Sequence, residues 1–195
     1  RMNQVNLQAD FSAEAIILPP IRDDEPLVKS YLLHLLADAP DYDAYKPYIE
    51  STYLSQTFAE SKILSGIGDQ DKWAAMLPAA QLQALKDRVD IDFAYTNKSR
   101  FAPDDKVALS VNIKNVKTLI VKVYEVNAAN YYKTYHREVN TDINLDGLVA
   151  NEEQTVEYTD PPLRRIEHEF KFDKLTGRGV YVIEFIGNGK SSRAL

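Results

Sequence analysis

The spacing of apolar residues changes partway along the chain, and this change constrains the fold more than any other feature. Up to about Arg88 apolar side chains recur every three or four positions, the period of a helix with one buried face. Leu27, Tyr31, Leu32, Leu35 and Leu36 form the first such set, after Asp23-Asp24-Glu25-Pro26, acids and a proline that suit a helix N-terminus. A second helix is expected over 47–64, with Ile49, Tyr53, Leu54, Phe58, Ile63 and Leu64 on one stripe and Gly66 as its stop. Asp69 can cap a short helix carrying Trp73, Met76 and Leu77, and Pro78 can start a last one with Leu82, Leu85 and Val89 inward. From Val89 the period falls to two, as a half-buried strand requires. Val89, Ile91, Phe93 and Tyr95 alternate with Asp90, Asp92 and Ala94. Strands are expected at 89–95, 107–113, 119–126, 131–139, 165–172, 179–186 and 191–195, with 154–159 leading into a Pro-Pro turn. Turn signals separate them, among them Ala102-Pro103-Asp104-Asp105, Thr176-Gly177 and Gly187-Asn188-Gly189. The expectation is an α+β chain: a helical segment over 1–88, then an antiparallel seven-stranded sandwich over 89–195.

Composition excludes several classes. The chain has 195 residues, no cysteine and a net charge of −6. Disulfides, zinc ribbons and thiol catalysis are therefore absent from it. The mild acidity argues against a nucleic-acid partner. No apolar run reaches the ~18 residues that membrane insertion needs. The opening Arg1-Met2 and a final strand, residues 191–195, with no tail imply a piece of a longer polypeptide.

Asp142-Ile-Asn144-Leu-Asp146-Gly147-Leu148-Val149-Ala-Asn-Glu152-Glu153 fits the calcium-loop pattern D-x-[DN]-x-[DN]-G-x5-E at every fixed position. Oxygens at positions 1, 3 and 5 converge on one hard cation, the glycine permits the turn, and a carbonyl and a two-oxygen carboxylate complete the shell. The expected calcium ligands are Asp142, Asn144, Asp146, the carbonyl of Leu148, and Glu153, with Glu152 as a substitute. The flanks read as strand, so this is a calcium loop inserted at 142–153 between strands. The competing reading is an acidic hairpin whose Asp, Asn and Gly only shape a turn.

Other patterns are weaker. Gly187-Asn-Gly189-Lys190-Ser191 lacks the first glycine of a phosphate loop, because Glu184 stands there. Tyr42 and Lys46 have dehydrogenase spacing, but the chain has only 7 glycines and no dinucleotide turn. His34, His136 and His168 are scattered; His34 is expected partly buried and the other two on strand surfaces. Asn97-Lys98-Ser99 is a single glycosylation sequon.

The run Phe101-Ala-Pro-Asp-Asp-Lys-Val, then Leu119, Val121, Lys122, Val123, Tyr124, Val126 and Asn127, resembles a macroglobulin-type domain. Phe170-Lys-Phe172, Leu175 and residues 179–185 resemble its closing strands. The family's reactive thioester needs a cysteine that this chain lacks. The resemblance implies a module of a large secreted or surface protein, placed outside the cytoplasm. The resulting expectation is a non-enzymatic structural or interaction module that holds one calcium ion and contacts neighbouring domains or other proteins. Two alternatives stand beside it. One is a glycan- or ligand-binding module using Tyr131, Tyr132 and Tyr135 near the metal loop. The other is a hydrolase with an acid pair among the 29 carboxylates.

Overall fold

The structure is a computed structural model that describes residues 25–102 and 104–195. Pro103 and the acids Asp23 and Asp24 fall outside the described residues. The chain divides between Leu85 and Lys86 into two compact units.

The first unit holds helices α1 (Glu25–Ala37), α2 (Ser51–Ser65), α3 (Gln70–Ala75) and most of α4 (Ala79–Asp87), with a single 3-10 turn at Asp43–Tyr45. Among the described residues of this unit no strand forms. α2 begins later than its stripe predicts. Pro47 sits in a turn, and the Glu50 carboxylate caps the helix by accepting from the Thr52 and Tyr53 N–H groups at 2.8 and 2.7 Å. Gly66 ends α2 at φ +70°, as expected, and Asp69 caps α3. Leu32, Leu36, Leu54 and Phe58 form the core of the α1–α2 pair, with Trp73 edge-on to Phe58 at 5.5 Å. The second half of α2 is buried all round, Glu60, Ser61 and Lys62 included. Buried polar groups need partners. Lys62 donates to the Ala37 and Ala39 carbonyls, both at 2.6 Å, and so closes the open end of α1. His34 is exposed, where the apolar run predicted partial burial.

The second unit is a sandwich of seven strands in two antiparallel sheets. The strands are β1 (Asp90–Phe93), β2 (Ala108–Lys114), β3 (Thr118–Val126), β4 (Glu152–Glu157), β5 (Ile166–Lys171), β6 (Val180–Gly187) and β7 (Lys190–Ala194). One sheet runs β1-β2-β5, the other β4-β3-β6-β7. Leu119, Val121, Val123, Ile183 and Phe185 face Ile91, Val111, Ile113 and Phe170 across the core.

Two expected elements change type. Residues 131–139 were expected as a strand, yet Ala128–Tyr135 is helix α5. Asn127 caps it by accepting from Asn130 N–H at 3.0 Å, and Tyr131 and Tyr135 stack one turn apart at 4.7 Å. The strand count holds because β4 forms where only a connection was expected. One seam of the sandwich is tied by side chains: Ser192 Oγ and Lys190 Nζ on β7 donate to the Ile91 and Val89 carbonyls of the β1 region.

Phe185 is fully buried between Phe93 and Phe170, with ring centroids at 5.4 and 5.0 Å. Phe185→Ala should cost about 3–5 kcal/mol in urea unfolding. A loss below about 1 kcal/mol would place this side chain outside the core.

Candidate functional site

A sandwich sheet ordinarily buries one face. Here the outer face of β3 and β6 is buried too. Val182 is 0% exposed and Tyr124 6%, both on the side away from the sandwich core. Their cover is the segment after β3: Ile143 and Leu145 lie on them, with Tyr131, Val139 and Ala150 at the margin.

The cover is the 142–153 loop, and its alternation explains its position. Ile143 and Leu145 point into the sheet, while Asp142, Asn144, Asp146 and Leu148 are exposed. The loop turns on itself through Asx bonds: the Asn144 side chain accepts from Asp146 N–H at 2.8 Å, and Asn140 from Asp142 N–H at 3.2 Å. Gly147 has φ +80°, the conformation its place in the pattern demands. Glu153 lies on β4 opposite Lys122, to which it pairs at 3.4 Å, and Glu152 pairs with Lys174 at 3.2 Å. Asp142, Asp146 and Glu153 are not gathered: among the described residues no three His, Asp or Glu stand where they could share a metal ion.

An ion pair fastens the cover. Glu184 of β6 is 7% exposed in the outer face, opposite Arg193 of β7. Arg193 Nη2 meets Glu184 Oε1 at 2.7 Å, and Ser191 Oγ donates to the same oxygen at 2.9 Å. Arg193 Nη1 also donates to the Ile143 carbonyl at 3.0 Å and reaches that of Thr141 at 3.4 Å. One guanidinium thus neutralises a buried carboxylate and holds the loop backbone. Sequence reasoning missed both residues. The signal was a lone Glu184 inside the apolar run Val180–Gly187.

The remaining candidates resolve into structure. Asn97 of the sequon exchanges two hydrogen bonds with Ser110, each 2.8 Å, imitating a strand pair. Tyr131 packs under the cover while Tyr132 and Tyr135 are exposed on α5, so the three do not share one open surface. His136 ends α5 at φ +53°, and His168 stacks on Tyr158 at 4.6 Å. Burial pushes the Tyr158 hydroxyl up to about 12. Lys98 beside Asp105 holds that carboxyl below its usual range. Lys46 pairs with Asp43 at 2.6 Å beside the Tyr42 ring. The 187–191 segment is the β6–β7 turn. A depression of about 240 Å³ between Thr96, Phe101, Lys106 and Glu169 contains one carboxylate. Among the described residues no helix is long and apolar enough to cross a membrane.

On the first unit, Leu27, Tyr31 and Leu35 stand one turn apart on α1 and are 59%, 61% and 54% exposed. Leu32 and Leu36 of the same run are buried, so the run forms two stripes about 120° apart on α1, one buried and one exposed.

Residues 1–89 match the family model described as the Actin-binding protein F N-terminal domain. Residues 119–195 match that of the AbpF first immunoglobulin-like domain. Actin-binding protein F of Dictyostelium discoideum is 44% identical over 176 residues, which cover 89% of this chain and 7% of that protein. No solved structure matches. The macroglobulin-type resemblance is overturned: its strand pattern is shared by sandwiches in general, and both parts of this chain match the other protein in order. The extracytoplasmic placement rested on that resemblance and is overturned with it, since the relative is named for binding actin.

Arg193→Ala should speed hydrogen exchange at the loop amides and cost about 1–3 kcal/mol, because the buried Glu184 keeps only Ser191 as a partner. Unchanged exchange at Ile143 and Leu145 would show that apolar packing alone holds the cover.

Proposed function

We propose that this chain is a non-catalytic interaction module of a large actin-binding protein, with its helical unit presenting an apolar stripe to a protein partner. One observation carries the reading: the match to Actin-binding protein F runs through both units in order, at 44% identity. A cytoplasmic placement follows from actin as the partner. The helical unit supports it with Leu27, Tyr31 and Leu35, three large apolar side chains aligned on one exposed helix face. Exposed apolar groups set in a row mark contact surfaces more often than scattered ones do. Aspartate at such positions is expected to change folding little, because these side chains are more than half exposed.

The test is co-sedimentation of the 195-residue chain with filamentous actin. Wild-type chain is expected in the pellet, and Leu27→Asp with Tyr31→Asp is expected to lower the bound fraction at least tenfold at an unchanged melting midpoint. Wild-type chain left in the supernatant would remove actin as the partner of this segment. Pelleting untouched by the double substitution would move the contact off α1.

The finer form of this reading adds a calcium ion at 142–153. It is supported by the complete twelve-residue pattern, by Gly147 at φ +80° and by three exposed oxygen-bearing side chains, Asp142, Asn144 and Asp146, on one turn. Completing the shell requires Glu153 to leave Lys122, an exposed pair worth only about 0–1 kcal/mol. At ~100-fold excess over its dissociation constant calcium adds about 2.7 kcal/mol of stability. A thermal melt should therefore rise from excess chelator to millimolar calcium, and Asp142→Ala should abolish the rise. Equal midpoints in both conditions would leave the loop as a cover alone.

A further inference from the structure

The outer face of the four-stranded sheet carries a row of charges of alternating sign, one per strand. Arg193 on β7 stands opposite Glu184 on β6, Glu184 opposite Lys122 on β3, and Lys122 opposite Glu153 on β4. Directly opposed unlike charges stabilise neighbouring strands. The row stops at β4, which ends the sheet, with Glu153 half exposed.

β4 is built to be paired. The register places Thr118 opposite Glu157, and Tyr158 N–H donates to the Lys117 carbonyl at 2.8 Å just beyond. Antiparallel pairs alternate between bonded and non-bonded. Residues 152, 154, 156 and 158 therefore bond toward β3, and Glu153, Thr155 and Glu157 direct their N–H and C=O groups to the free edge. Those three side chains are exposed on the outer face, while Gln154 and Val156 lie half-buried toward the core. No proline or inward-pointing charge at the middle of the strand blunts this edge, as free edges usually are blunted.

We propose that β4 accepts a further strand from a protein partner whose extended segment reads basic–apolar–small–apolar–basic. Lysine or arginine would stand beside Glu153 and Glu157 and continue the alternation of sign. The apolar residues would cover Gln154 and Val156 at the rim of the core. Backbone hydrogen bonds supply attraction and the two cations supply choice, as in other strand-addition complexes. The free edge of the other sheet, β5, lacks this design: Glu167 faces Asn112 and then Asp92, so no alternating row reaches it. The proposal stands independently of actin as a partner; calcium at the loop would compete with it, because both draw on the Glu153 carboxylate, so the test is made in excess chelator.

The test uses the whole chain, 15N-labelled, and the capped peptide Ser-Lys-Val-Thr-Val-Lys-Ser, with Ser-Glu-Val-Thr-Val-Glu-Ser as its counterpart. The lysine peptide should shift and protect the amides of Glu153, Thr155 and Glu157. Glu153→Lys with Glu157→Lys should weaken it at least tenfold and transfer binding to the glutamate peptide. Thr155→Pro should abolish binding at a nearly unchanged melting midpoint, since that N–H serves no strand of the sheet. No shift at millimolar lysine peptide, shifts at Glu167 and Glu169 instead, or unaltered preference after the double charge reversal would each overturn the proposal.

Discussion

The contact between Arg193, Glu184 and the backbone of the 142–153 loop governs the sandwich unit. Without the loop, Val182 and Tyr124 would face water on the outside of the sheet. With it, four apolar side chains, Val182, Tyr124, Ile143 and Leu145, leave water together. Each contributes about 1.5–3 kcal/mol. The same closure takes the Glu184 carboxylate out of water, a penalty of several kcal/mol for an unpaired ion. The gain exceeds the penalty because Arg193 and Ser191 meet the same oxygen at 2.7–2.9 Å. Apolar cover and ion pair therefore act together, because the loop that buries the apolar side chains is the one whose backbone Arg193 holds.

The same loop shows why a motif constrains chemistry less than it constrains backbone. Asp, Asn and Gly at alternate positions suit a cation, and they equally suit successive Asx turns. The residues between them decide what the folded loop does first. Ile143 and Leu145 are invisible to the calcium pattern, yet they fix which way the loop lies. Their burial turns Asp142, Asn144 and Asp146 outward, whatever those oxygens then bind.

The architecture was legible because it rests on periodicity. The change near Val89 separates helix from strand, and six of the seven expected strands appear in place. The two that differ do so for separate physical reasons. Residues 128–135 carry Tyr131, Tyr132 and Tyr135, aromatics that suit a strand, but a local cap at Asn127 and a Tyr131–Tyr135 stack favour the helix. β4, Glu-Glu-Gln-Thr-Val-Glu, is an edge strand with little apolar content, so its alternation is almost silent; only pairing with β3 reveals it. The α1 stripe was read as one face because five apolar residues lie on it, and only the packing on α2 tells Leu32 and Leu36 from Leu27, Tyr31 and Leu35. Likewise the outer-face charges look like ordinary polar positions of strands until register aligns them. The misleading resemblance came from the same source: sandwich strands share alternation whatever their descent.

An apolar pair at positions 184 and 193 would avoid the desolvation penalty, and buried ion pairs are often matched or bettered by such replacements. The geometry explains why an ion pair stands here. The Ile143 carbonyl lies part-buried beside the sheet with no strand to receive it, and an unpaired carbonyl under an apolar cover is costly. A guanidinium has donors enough to serve a carboxylate and two carbonyls at once; a leucine has none. Arg193 stands beside an acid on β6, that acid stands opposite a lysine on β3, and Lys122 stands opposite Glu153 on β4. Only the first of these pairs is buried; the Lys122–Glu153 pair is open to solvent and adds little to stability by itself.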